Sequence, residues 1–111
     1  MRRVDRSAAR GLLAAKTLLK EPKLISRDYV RGRYVRAKAY ISLKQENKAL
    51  ADLKEISKDT RTIHGAEAKY LLAQLYYDNK DDKNAETVLM NFIENGTPHQ
   101  YWLARGFILF G

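Results

Sequence analysis

Ala66–Pro98 reads AEAKYLLAQLYYDNKDDKNAETVLMNFIENGTP. Its apolar residues recur at steps of three and four, which is helical spacing, in two runs parted by the polar turn Asp78-Asn79-Lys80-Asp81. The second run stops at Asn95-Gly96, where glycine suits the residue just past a helix end. Thr97-Pro98-His99-Gln100 then offers a cap, a proline for the first helical position and an amide for a capping box. This is a helical hairpin followed by the start of another helix. Sliding residues 30–56 onto 66–92, a shift of 36, matches seven columns: Tyr34/Tyr70, Val35/Leu71, Ala37/Ala73, Tyr40/Tyr76, Ala49/Ala85, Leu53/Leu89 and Ile56/Phe92. A period in the thirties with two helices per unit predicts a helical solenoid. The alanine columns mark where paired helices approach closely, and the tyrosine and leucine columns fill the space between them.

The rest of the chain fits that frame. Helices are expected at about 4–20, 27–43, 48–58, 65–77, 82–94 and 99–110. Glu21-Pro22 ends the first, Ser26 is expected to cap the second and Asn47 the third. With 2 Pro and 6 Gly in 111 residues and no strand-like alternation, the expected fold class is all-α, as one domain over residues 1–111. A 45% hydrophobic share suits a folded chain. No run of about 18 apolar residues exists, so no membrane span is expected. The last residues, Phe107-Ile108-Leu109-Phe110-Gly111, are apolar where a terminal repeat would carry a polar cap. The expectation is a piece of a longer array, or else a final helix that docks on a second copy.

Little in the sequence suggests chemistry. Without cysteine there are no disulfides, thiolate metal sites or Cys nucleophiles. His64 and His99 fall at predicted helix starts, far from each other in sequence. Asp78, Asp81 and Asp82 lack the glycine and closing glutamate of a calcium loop, and read as a turn and helix cap. Asn95-Gly96-Thr97 is formally a glycosylation sequon, but Gly96 and Thr97 already have capping roles. No phosphate loop or nucleophile motif is present. No enzyme activity, cofactor or metal is expected.

The hairpin residues resemble the tetratricopeptide repeat, whose pattern is W-x2-L-G-x2-Y, then A-x3-F, then P. The clearest unit is Lys69-x2-Leu72-Ala73-x2-Tyr76, then Ala85-x3-Leu89, Phe92 and Pro98. The unit before it gives Ala37-x2-Tyr40, then Ala49-x3-Leu53 and Ile56. A third unit opens at Ala104 with Phe107-x2-Phe110-Gly111, and Ala8 and Leu12 look like the A-x3-F pair of an earlier one. The resemblance implies a right-handed hairpin solenoid of about two full repeats with partial repeats at both ends. It also resembles the long repeat arrays of the bacterial cell envelope, which implies an envelope or periplasmic location. Lys69 stands where the family prefers Trp. Arg33 and Arg36 stand at the Trp and Leu positions of their unit, so either their stems snorkel outward or the frame there shifts by one residue.

In that family the first helices of successive hairpins line a concave groove. Carried over, the groove residues are Arg31, Tyr34, Lys38 and Ile41, then Glu67, Tyr70, Gln74 and Tyr77, then Arg105 and Ile108; with Arg27, the set 27, 31, 34, 38 makes a basic-aromatic stripe on one helix face. The clamp that some members use for terminal carboxylates needs Lys and Asn where Tyr34/Lys38 and Tyr70/Gln74 mostly stand, so that activity is not expected. Charge adds a direction. Residues 1–50 hold 14 Lys and Arg against 4 Asp and Glu, a net +10, while 51–111 hold 7 against 9, a net −2. The leading expectation is a protein–protein interaction scaffold that takes an acidic protein or peptide segment. The alternatives are a basic array that binds nucleic acid, with Arg2, Arg3, Arg6 and Arg10 contributing, and a structural spacer in a larger envelope protein. The stacking platforms of dedicated RNA modules are missing, which weighs against nucleic acid.

Overall fold

The structure, a computed structural model, describes residues 6–110. The helix start expected at Val4, Arg2, Arg3 and Gly111 lie outside the described residues. Six α-helices follow one another: α1 (Arg6–Leu18), α2 (Ser26–Ser42), α3 (Leu50–Ile56), α4 (Ile63–Asp78), α5 (Asp82–Asn95) and α6 (Gln100–Phe110). No strand occurs among the described residues, so the protein is all-α. The chain forms two compact units, one up to Asp52 and one from Leu53 onward.

In the first unit α1 packs on α2, and α2 also packs on a short 3-10 turn, Glu46–Ala49, that leads into α3. The buried alanine of α1 is Ala15, whereas Ala8 and Leu12, expected in the tight columns, are only half-buried. The reason lies in the contact: α1 meets α2 through Leu18 and Leu19, which crowd the buried Gly32. Helix α1 stops at Leu18 rather than Lys20, because the chain turns there through Glu21 N–H donating to the Leu18 carbonyl (3.0 Å). Ser26 is the first residue of α2 and not its cap. The cap position is Ile25, which supplies no side-chain bond. Asn47 likewise sits inside the 3-10 turn, with Gln45 before it.

In the second unit α4 packs against both α5 and α6, and half of its sixteen residues are buried. Its start is built from side chains. Thr62 Oγ1 accepts from Gly65 N–H (2.9 Å), the N-cap bond that the first turn needs. Gly65 tolerates no side chain, since a Cβ there would lie 1.8 Å from the Asp59 carbonyl oxygen. Helix α5 is capped as expected: Asp81 accepts from Asn84 N–H (3.3 Å). Gly96 ends it with a φ of 68°. Thr97 accepts from His99 N–H (3.1 Å), but Gln100 donates to the Thr97 carbonyl (2.5 Å) instead of closing a capping box. Two loops are laced together. Thr60 Oγ1 donates to the Gly96 carbonyl (2.8 Å), Thr97 Oγ1 donates to the Thr60 carbonyl (2.5 Å), and His99 Nε2 lies 3.0 Å from the Arg61 carbonyl.

A shift of 36 recurs in the backbone. Lys44 and Lys80 are the two non-glycine residues with positive φ among those described, at 62° and 61°. After each, the same bond closes the helix end: Gln45 N–H to the Tyr40 carbonyl and Asp81 N–H to the Tyr76 carbonyl, both 2.8 Å. These are paired Schellman-type ends in two different sequences. The columns agree too, since Ala37, Ala73, Ala49 and Ala85 are all buried, as are Leu53, Leu89, Ile56 and Phe92. Val35 departs from its column: it is exposed where Leu71 is half-buried.

Candidate partner-binding surface

Helix α2 carries five cations from Arg27 to Lys38, and the fold sorts them. Arg33 Nη1 donates to Asp52 Oδ1 (2.9 Å), while Arg36 donates through Nε to Oδ2 (2.8 Å) and through Nη2 to Oδ1 (2.7 Å). Asp52, on the first turn of α3, is 1% exposed. Its hydrogen bonds hold the Arg36 guanidinium above its usual range. Arg33 stacks over the Tyr29 ring at 4.9 Å, and its Nε is buried without a partner. Arg33 and Arg36 therefore do not snorkel outward, as one reading of the resemblance expected. They turn in to a buried carboxylate. Asp52 was missed in the sequence because it precedes the inward-facing Leu53 and reads as a polar residue of an amphipathic helix. The one available signal was the Arg33/Arg36 pair at i, i+3, facing a hairpin partner.

The other cations of α2 face solvent. Arg27 and Arg31 are exposed, and Arg27 lies beside Asp28 at 3.8 Å, an exposed pair of little energetic weight. Lys38 is exposed with its Nζ 5.8 Å from the centre of the half-buried Tyr34 ring. Arg27, Arg31, Tyr34 and Lys38 follow one another at the three- and four-residue steps of one helix face.

The second unit treats its expected groove residues less evenly. Glu67 and Tyr70 are buried, Gln74 is half-buried, and Tyr77 and Arg105 are exposed. Tyr70 on α4 and Arg105 on α6 come together. Arg105 Nη2 donates to the Tyr70 hydroxyl (3.4 Å), and its guanidinium lies 5.1 Å from the ring centre. Sequence reading missed two neighbours. Arg105 Nη1 donates to the Tyr101 hydroxyl (3.0 Å), one turn earlier on α6. Trp102 packs between aromatic rings, 5.7 Å from Tyr70 and 4.9 Å edge-on from Tyr101. The i, i+4 spacing of Tyr101 and Arg105 was the available signal. The bonds to the two phenols raise the Arg105 pKa. On α4, Lys69 donates to Asn91 Oδ1 on α5 (2.7 Å), and burial pushes its ammonium pKa down.

Among the described residues no group of three His, Cys, Asp or Glu could hold a metal ion, and no helix is long and apolar enough to cross a membrane. No protein-family model matches this chain, and neither does any curated protein or solved structure.

Proposed function

We propose that this chain is a tetratricopeptide-like stack of helical hairpins that serves as a protein–protein interaction scaffold and takes an acidic segment of a partner. The stack reading is supported by the 36-residue recurrence of sequence columns, buried alanines and helix-end geometry. The observation that carries the binding reading is the sorting of α2. Arg33 and Arg36 are bound to the buried Asp52, while Arg27, Arg31 and Lys38 are exposed, with Lys38 over the Tyr34 ring. Arginine and tyrosine are residue types that dominate interface energetics. Exposed cations in a row raise association rates with acidic partners and favour them over basic ones.

The test is a triple charge reversal, Arg27→Glu, Arg31→Glu and Lys38→Glu. All three positions are exposed, so the fold is expected to survive, which circular dichroism checks. Binding of a blocked, fluorescent, glutamate-rich peptide is expected to weaken at least about tenfold, roughly 1.4 kcal/mol. Unchanged binding would refute the reading. A parallel titration with single-stranded RNA addresses the basic-array alternative. Binding to RNA alone, with affinity falling steeply as salt rises, would replace the protein scaffold with a nucleic-acid one.

A further inference from the structure

We infer that Arg105, held between Tyr70 and Tyr101, is a receptor for a single side-chain carboxylate of an acidic partner; this rests on the scaffold reading above. A guanidinium has five N–H donors and accepts nothing. Arg105 spends one on each phenol oxygen, at 3.0 and 3.4 Å, which leaves three. Tyr101 accepts from Arg105 and so keeps its own O–H proton to donate, and the residue is 61% exposed to solvent. Arg105 is exposed as well. An exposed cation and an exposed phenol O–H therefore stand 3.0 Å apart, which suits a carboxylate oxygen pair.

The Arg105 head group is also preorganised. A solvent-exposed arginine normally loses much rotamer freedom when it binds a ligand. Here two phenols and two ring faces, 5.1 and 5.8 Å from the guanidinium carbon, already fix the head group. Tyr70 is buried and belongs to α4, so the anchor is tied to the interior of the unit. Tyr70 is a positioning residue, and Arg105 and Tyr101 are the contacts. Where Arg33 and Arg36 turn inward, the chain itself provides Asp52. Arg105 faces outward, with phenols around it.

The experiment uses the whole chain and its single tryptophan. Trp102 packs on both tyrosines, so its indole N–H resonance and the Arg105 Nε–H resonance report events at the cluster. The probes are acetate, inorganic phosphate and the blocked tripeptide acetyl-Ala-Glu-Ala-amide, whose only carboxylate is a side chain. Chloride is the ionic-strength control. Acetate and the tripeptide are expected to give saturable shifts that chloride does not. Arg105→Met keeps much of the aliphatic stem and is expected to abolish saturation with an unchanged unfolding midpoint. Tyr101→Phe is expected to weaken the tripeptide roughly threefold to tenfold, because one O–H donor is lost. Linear drifts that match chloride would overturn the inference, as would saturation that persists in Arg105→Met. Saturation by phosphate alone would overturn the carboxylate assignment in favour of a phosphoester. If these titrations fail while the α2 charge reversal still abolishes peptide binding, the Arg105 contact falls and the scaffold reading stands.

Discussion

At the residue scale the decisive side chain is Asp52. A carboxylate 1% exposed is costly to dehydrate unless charge and hydrogen bonds replace its water. Three bonds from Arg33 and Arg36, all at 2.7–2.9 Å, do that. The arginine side chains keep 22% and 26% exposure, so part of their charge is still solvated. Asp52→Ala is therefore expected to lower stability by about 2–3 kcal/mol, below the ~3–5 kcal/mol of a fully buried broken pair. Urea denaturation measures it. Asp52→Asn keeps the shape and some acceptor capacity and should fall between the two. A loss under about 0.5 kcal/mol for Asp52→Ala would mean that the trio contributes specificity and not stability.

At the element scale the helix ends are written in local chemistry, and the ends of α4 and α5 show how. Thr62 caps the start of α4 and Asp81 the start of α5, so in each helix one first-turn N–H is satisfied by a side chain and not by water. Gly96 terminates α5 with φ 68° and ψ 178°, a region that a Cβ disfavours strongly. Nothing lies within 4 Å of where that Cβ would stand. Gly96→Ala thus isolates backbone strain from crowding, and is expected to cost about 1–3 kcal/mol by thermal or chemical unfolding. Because the Gly96 carbonyl accepts from Thr60, the same variant should also speed amide exchange in the Thr60–Thr62 loop. A neutral result would show that the loop rearranges freely around residue 96.

At the scale of the whole molecule the question is whether the repeat is physical or only a pattern of letters. Ala37 and Ala73 are 36 positions apart, with relative exposures of 0% and 1%. Each sits in a helix with the same left-handed lysine at its end. If they occupy equivalent tight crossings, Ala37→Leu and Ala73→Leu should each overpack and cost about 1–3 kcal/mol or more, by similar amounts. Ala8→Leu, at a half-buried position of α1, should cost much less. Denaturant midpoints for the three variants give the comparison, and a tolerated leucine at either Ala37 or Ala73 would separate the two hairpins.

Helical periodicity, the turn residues, the proline and the glycine determined that this chain is helical and roughly where its helices run, because those signals act over three or four residues. The caps at Thr62 and Asp81 and the end at Gly96 are local in the same way. What the tertiary structure decided is which polar groups leave water. Asp52 reads as a surface residue until α2 lays two arginines over it, and Glu67 and Tyr70 read as open groove residues yet are buried. The Tyr70–Arg105–Tyr101 cluster joins residues 31 to 35 positions apart through the packing of α6 on α4. Burial and charge pairing depend on which helices meet, and helical spacing along one chain segment carries no information about what lies across from it.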